Sequence, residues 1–164
     1  MGFFRNGSLF NKAPAPAASP ALASQARPSD AAKATTKRRG DAAEALALAH
    51  LQRQGLRLVQ RNFKTPGRGG GEVDLIMRET DGTLVFIEVR QRAGASRGGA
   101  GGSITVIKQQ RIILAARHFL LTLGSEPPCR FDVVLVEGRL APDGSAPGAR
   151  LEWIRAAFDA SATF

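Results

Sequence analysis

Two carboxylates in neighbouring apolar segments are placed to form a metal site. Asp74 lies in a predicted strand from Glu72 to Arg78, and Glu88 lies in a second one from Leu84 to Gln91. If the two strands pair as a hairpin centred on Asp81, Asp74 stands directly across from Glu88. Opposite residues of a hairpin leave the same face of the sheet, so the spacing predicts two adjacent carboxylates.

Such a pair needs a compensating positive charge, because two carboxylates about 4 Å apart repel by roughly 4 kcal/mol at an effective dielectric near 20. A bound divalent cation, the nearby Arg90 or a retained proton could supply it. Oxygen ligands favour Mg²⁺ or Mn²⁺ over zinc, and the chain has one Cys and two His. A metal so held could help to hydrolyse a phosphodiester. The alternative is an ordinary ion pair at a strand end.

The elements that would position these residues follow from helix caps and apolar runs. A capping box, Asp41 with Glu44, predicts the start of a first helix that ends near Gln54. Thr105 and Gly124 bracket a second helix. The remaining predicted strands are Leu56–Phe63, Phe131–Val136 and Leu151–Ile154. The order α-β-β-β-α-β predicts an α/β fold with a mixed sheet flanked by helices.

Composition indicates one domain behind a basic tail. The chain has 164 residues, of which 43% are hydrophobic, and residues 1–40 carry seven Lys or Arg against one acid. We expect a disordered Ala/Pro/Ser-rich tail over residues 1–39, a domain over residues 40–160 and a mobile glycine-rich loop over residues 93–102. The tail's charge suits a phosphate-rich partner or simply aids solubility, and a transit peptide is a further alternative.

The same composition bears on where the protein works. The single cysteine, Cys129, allows no intramolecular disulfide, which favours the reducing cytoplasm. No apolar run is long enough to suggest a membrane span, so no membrane association is expected.

Several motifs in order resemble those of the YraN family of bacterial proteins. The resemblance covers about residues 40–158 and implies a restriction-endonuclease-like, Holliday-junction-resolvase-like core. It is carried by Gly71-Glu72-Val73-Asp74-Leu75-Ile76, Val85-Phe86-Ile87-Glu88-Val89-Arg90-Gln91-Arg92, Lys108-Gln109-Gln110 and Arg130-Phe131-Asp132-Val133-Val134.

The nuclease pattern of that fold falls on Asp74, Glu88 and Arg90, with Glu44 in the place of a further metal ligand. The resemblance thus implies an endonuclease that uses Mg²⁺ or Mn²⁺ to cut DNA, including branched DNA by analogy with resolvases, and a homodimer. Arg90 stands where active nucleases usually have Lys, and arginine cannot readily give up its proton to act as a base. Phosphate contacts are expected from Arg92, Lys108 and Arg111.

Two alternatives stay open. The first is a noncatalytic DNA- or RNA-binding module with a degenerate nuclease site, which the replacement of lysine by Arg90 favours. The second is a cytosolic interaction protein whose acidic hairpin is only an ion-pair network. Metal binding and cleavage distinguish the three functions.

Overall fold

The computed structural model describes residues 28–67, 69–92, 104–141 and 145–160. The predictions for residues 1–27 of the tail and for the glycine-rich loop at 93–102 lie outside this part of the chain. In the described ranges, no helix has the length and apolar character needed to cross a membrane.

Five strands form one mixed sheet with a helix packed on each face. The strands lie in the order β1-β2-β3-β4-β5, and all neighbours are antiparallel except the parallel pair β3 and β4, which α2 connects. This is the α/β architecture expected of a restriction-endonuclease-like core. The elements are α1 (Pro28–Arg53), β1 (Arg57–Lys64), β2 (Glu72–Arg78), β3 (Leu84–Arg92), α2 (Val106–Leu123), β4 (Cys129–Glu137) and β5 (Arg150–Phe158).

The central strands are apolar on both faces because each face is covered by a helix. On one face, Phe86 and Val133 pack with Ile112 and Phe119 of α2. On the other, Val85 and its neighbours pack against α1. The α1 contribution comes from Ala43, Ala47 and Leu51, which recur at helical spacing.

The hairpin register and the second helix agree with the sequence predictions. Leu75 pairs with Ile87 and Arg78 with Leu84, which is the register centred on Asp81. Thr105 caps α2 by accepting a hydrogen bond from the Lys108 amide, and Gly124 ends the helix in the left-handed conformation.

The predicted start of the first helix is wrong. The helix begins at Pro28, so Asp41 and Glu44 lie inside it and form no capping box. Residues 28–39, assigned to the tail from composition, are helical because Ala, Lys and Arg are strong helix formers. Gly40 disfavours a helix by only about 1 kcal/mol and does not end it. The last strand is also longer than predicted and continues to Phe158.

Candidate metal site at the end of the central hairpin

A row of three polar residues crosses β1, β2 and β3 where the hairpin strands open. Asn62 lies between the pairs Arg61–Leu75 and Phe63–Val73, which puts it opposite Asp74. Continuing the register of β2 and β3 puts Glu88 on the other side of Asp74. Asn62 has a φ of 50°, a left-handed conformation that Asn tolerates better than most residues. Asn62 was not among the predicted site residues, although its place before Phe63 near a strand end was visible in the sequence.

Asp74 is fixed by the backbone of the partner strand. Its Oδ2 accepts a hydrogen bond of 2.8 Å from the Val89 amide, one step beyond the last paired residues of the hairpin. Burial raises the pKa of Asp74, while the Val89 hydrogen bond and the Lys108 charge work to lower it. The aspartate is therefore held rigidly in a setting that penalises its negative charge.

Glu88 is the most strongly perturbed carboxylate of the row. It is 7% exposed, and Lys108 Nζ on α2 lies 3.0 Å from its Oε2. Burial raises the pKa of Glu88 to about 7, the charge of Asp74 raises it too, and Lys108 opposes both. The Lys108 contact is an ion pair without aligned hydrogen-bond angles, since Oε2 has no hydrogen-bond partner in the described ranges. The positive charge that the pair requires thus comes from α2.

Glu44 approaches the row from α1. Burial raises the pKa of Glu44, and the charge of Asp74 adds to the rise, whereas a hydrogen bond with Asn62 lowers it. Its Oε2 is buried without a hydrogen-bond partner among the residues described, and Arg61 Nη2 is 3.7 Å away. The helix thereby brings a third carboxylate into electrostatic contact with the hairpin.

These residues suit a hard divalent cation. The donors are carboxylate oxygens, and Oε2 of both Glu44 and Glu88 is buried without a hydrogen bond inside the described part of the chain. Within those same residues, no three or more His, Cys, Asp or Glu side chains are grouped closely enough to hold a metal. The fit therefore rests on the adjacent pair Asp74 and Glu88.

The other predicted site residues are distributed around this pair. Arg90 shares the Glu88 face of β3 and is half-buried, yet no ion pair joins it to either carboxylate in the described structure. Arg92 is half-buried, and its Nη2 has no hydrogen-bond partner among described residues. Arg111 is exposed on α2.

Lys108 was predicted to bind phosphate, and its contact with Glu88 was not predicted. Two signals in the sequence could have suggested the contact. The alternation of β3 gives the face that carries Glu88, and Thr105 puts Lys108 in the first turn of α2. Lys108 is therefore part of the candidate site, next to the acidic pair.

Asp132 is separate from this site. It is fully buried and accepts hydrogen bonds from Arg130 Nε, Trp153 Nε1 and the Ala156 amide at 2.8 to 3.0 Å. Strand alternation puts it on the opposite face of the sheet from Glu88, since it is level with Ile87. Its role is structural.

Comparison with known proteins gives a consistent assignment. Residues 43–136 match the model of uncharacterised protein family UPF0102. A UPF0102 protein of Polaromonas naphthalenivorans is 64% identical over 127 residues, which cover 77% of this chain and 82% of the relative. One of an Acidovorax strain is 58% identical over 127 residues, covering 77% and 89%. The names of these relatives state no activity. The chain therefore belongs to the UPF0102 family, the YraN family that its sequence motifs resemble.

Proposed function

We propose that this protein binds nucleic acid and is a divalent-metal-dependent endonuclease that hydrolyses DNA phosphodiester bonds. The observation that supports the proposal best is the buried pair of Asp74 and Glu88 with Lys108 3.0 Å from Glu88. Buried carboxylates with raised pKa values beside a lysine are more typical of functional sites than of ordinary surfaces.

Each residue has a distinct role in the proposed reaction. Asp74 and Glu88 would hold Mg²⁺ or Mn²⁺. Glu44, which forms no group of three with them in the described structure, would add its negative charge from α1. The bound ion supplies positive charge for the phosphate and a more acidic water. Lys108 stabilises negative charge on the phosphate from α2, a role that the usual lysine at position 90 of the nuclease pattern would otherwise have. Arg90 contacts the phosphate as a fixed cation, with Arg92 and Arg111 binding the flanking backbone.

Metal binding is tested by calorimetric titration of the full chain with Mn²⁺. We expect heat of binding in the wild type that is lost in Asp74→Asn and in Glu88→Gln, because each removes a charged oxygen ligand. Glu152→Gln is the matched control: it makes the same chemical change at an exposed site on β5, an edge strand. Equal heat in wild type and both site variants would contradict the metal site.

Cleavage needs a separate assay with branched and linear DNA in Mg²⁺ or Mn²⁺. We expect cutting that falls about 100-fold or more in Glu88→Gln, on the scale of removing one interaction that stabilises the transition state. Lys108→Met is expected to lower cleavage as well, and Lys108→Arg to retain part of it because the charge is kept. Cutting that persists undiminished in Glu88→Gln would identify a contaminating nuclease.

A noncatalytic DNA- or RNA-binding module is the second candidate. It is favoured by the Lys108–Glu88 ion pair, which already compensates the buried charge without a metal, and by arginine at position 90. Salt-dependent binding of nucleic acid without Mn²⁺ heat or cleavage would select this function.

A further inference from the structure

Residues 32–39 of α1 lie before the core contacts of the helix and carry only positive charge, whereas the first turn of α1 contains Asp30. The core contacts of the helix begin at Ala42, and residues 32–39 are almost all exposed. This exposed segment has four basic residues and no acid: Lys33, Lys37, Arg38 and Arg39. Charge alone is compatible with simple solubility, so the arrangement of the charges around the helix is the informative feature.

Two of the four basic residues lie on the helical face that carries Glu44. With 100° per residue, Lys37 and Lys33 are each about 20° from Glu44 around the axis. Arg38 and Arg39 are about 120° and 140° away from it on the same basis. The face of α1 that approaches the acidic site is therefore continued by lysines.

A surface hollow joins this face to the site. Its volume is about 470 Å³, and it is lined by Lys37, Gly40, Asp41, Glu44, Asn62, Lys64 and Glu72. Lys64 is paired with Glu72 at 2.9 Å, which leaves Lys37 as the lining cation that does not belong to that ion pair. Glu44 and Asn62 are neighbours of Asp74, so the hollow borders the candidate metal site on the α1 side, although Asp74 and Glu88 do not line it. Lys37 is the lining residue that belongs to the exposed segment 32–39 of the helix.

We propose that Lys33 and Lys37 form a phosphate track, which guides one strand of a nucleic acid along α1 into the acidic site. This inference rests on the nucleic-acid binding proposed above and specifies how the substrate is held. At 1.5 Å per residue, Lys37 is about 10 Å and Lys33 about 16 Å along α1 from Glu44. At 3.4 Å per nucleotide of B-form DNA, these distances correspond to about three and five nucleotides.

The track makes an extended polynucleotide the substrate, since a mononucleotide at the acidic pair would not reach either lysine. It also lies before residue 43, where the match to the family model begins. The residues that the family model matches therefore do not include the track.

The test compares two double variants of the full chain that lose the same charge from the same helix. Lys33→Ala with Lys37→Ala removes the track, and Arg38→Ala with Arg39→Ala removes two charges from other faces. Alanine is the strongest helix former, so both variants are expected to fold. Binding of a fluorescein-labelled DNA duplex is measured in EDTA from about 50 to about 200 mM salt.

We expect the lysine variant to reduce the slope of log K against log salt by about 1.8, because each phosphate that is no longer neutralised lowers the slope by about 0.9. The arginine variant should keep the wild-type slope. Equal slopes in the two variants, or wild-type binding without salt dependence, would overturn the track. Displacement of the DNA by poly-L-glutamate at matched charge concentration would also overturn it and indicate an acidic protein partner.

The same series with labelled RNA of identical sequence separates the two nucleic acids. A reduced slope for either one in the lysine variant supports the track and assigns its ligand. Because EDTA prevents metal-dependent cleavage, the outcome is independent of the nuclease reaction. Glu88-dependent cleavage with equal salt slopes in the lysine and arginine variants would reject only the track. A reduced salt slope in the lysine variant, without Mn²⁺ heat or cleavage in the wild type, would reject only the nuclease.

Discussion

At the scale of single residues, Glu88 has an environment that works against its charge. It is nearly buried, and Asp74 and Lys108 act on it with opposite signs. Burial of a carboxylate without full hydrogen bonding lowers stability, and a bound cation or the paired Lys108 offsets part of that cost. The site is thus a place where the fold tolerates an unfavourable charge.

The pKa of Glu88 predicts how stability depends on pH in the metal-free protein. Its ordinary value is 4.5 and its value in the fold is about 7, so the folded state binds more protons between these limits. Stability therefore falls as pH rises through this window, by about 3 kcal/mol at most for a shift of this size. The raised pKa of Asp74 acts in the same direction.

We predict that Glu88→Gln removes most of this fall, because the amide cannot ionise. Urea unfolding in EDTA at pH values from about 5 to about 8 measures the effect. Glu152→Gln should keep the wild-type pH dependence. A Glu88→Gln variant whose free energy of unfolding falls with pH as steeply as the wild type would show that Glu88 is not the group responsible.

At the scale of elements, α2 is held close to the start of β2 by a glycine. A Cβ at Gly71 would collide with the carbonyl oxygen of Arg111 and approach the Ala115 amide to 2.9 Å. The Gly71 amide also donates a hydrogen bond of 2.7 Å to Thr65 Oγ1. This close approach of backbone to helix helps to bring Lys108 to Glu88.

Gly71→Ala is expected to destabilise the protein by about 1 to 3 kcal/mol, the usual range for overpacking. Moving α2 outward should also weaken DNA binding through Lys108. Gly40→Ala is the matched comparison, since its Cβ meets nothing within 4 Å among the described residues and alanine should add up to about 1 kcal/mol to the helix. Urea unfolding measures both, and an equally stable Gly71→Ala variant would contradict the close packing.

At the scale of the whole molecule, one buried aspartate ties several elements together. Asp132 on β4 accepts hydrogen bonds from Trp153 and Ala156 of β5, and its partner Arg130 also contacts Glu79 after β2 at 2.9 Å. The hydrogen bonds raise the pKa of Arg130, which keeps it charged. The network stabilises the half of the sheet that does not carry the acidic pair.

We predict that Asp132→Ala destabilises the fold by about 3 to 5 kcal/mol, because Arg130 loses its buried partner and two further donors lose their acceptor. Asp132→Asn should cost less, since it keeps one acceptor oxygen. Glu152→Ala on the exposed side of β5 should change stability by about 0.5 kcal/mol or less. Urea unfolding compares the three, and similar values for Asp132→Ala and Glu152→Ala would contradict the network.

The order of elements, the hairpin register and the pairing of Asp74 with Glu88 could all be predicted from the amino-acid sequence. They follow from local signals: Asp81 and Gly82 at the turn, alternation along the strands, and Thr105 and Gly124 at the ends of α2. The length of α1 was misjudged because Asp41 and Glu44 imitate a capping box within a longer helix.

Which charges meet depends on the tertiary structure. Lys108 is 20 residues from Glu88 in the chain, and Asn62 and Glu44 reach Asp74 from an edge strand and from α1. Such contacts depend on how α1 and α2 pack on the sheet, and neither periodicity nor spacing encodes that packing. The acidic pair is therefore visible in the sequence, whereas the lysine that compensates it required the fold.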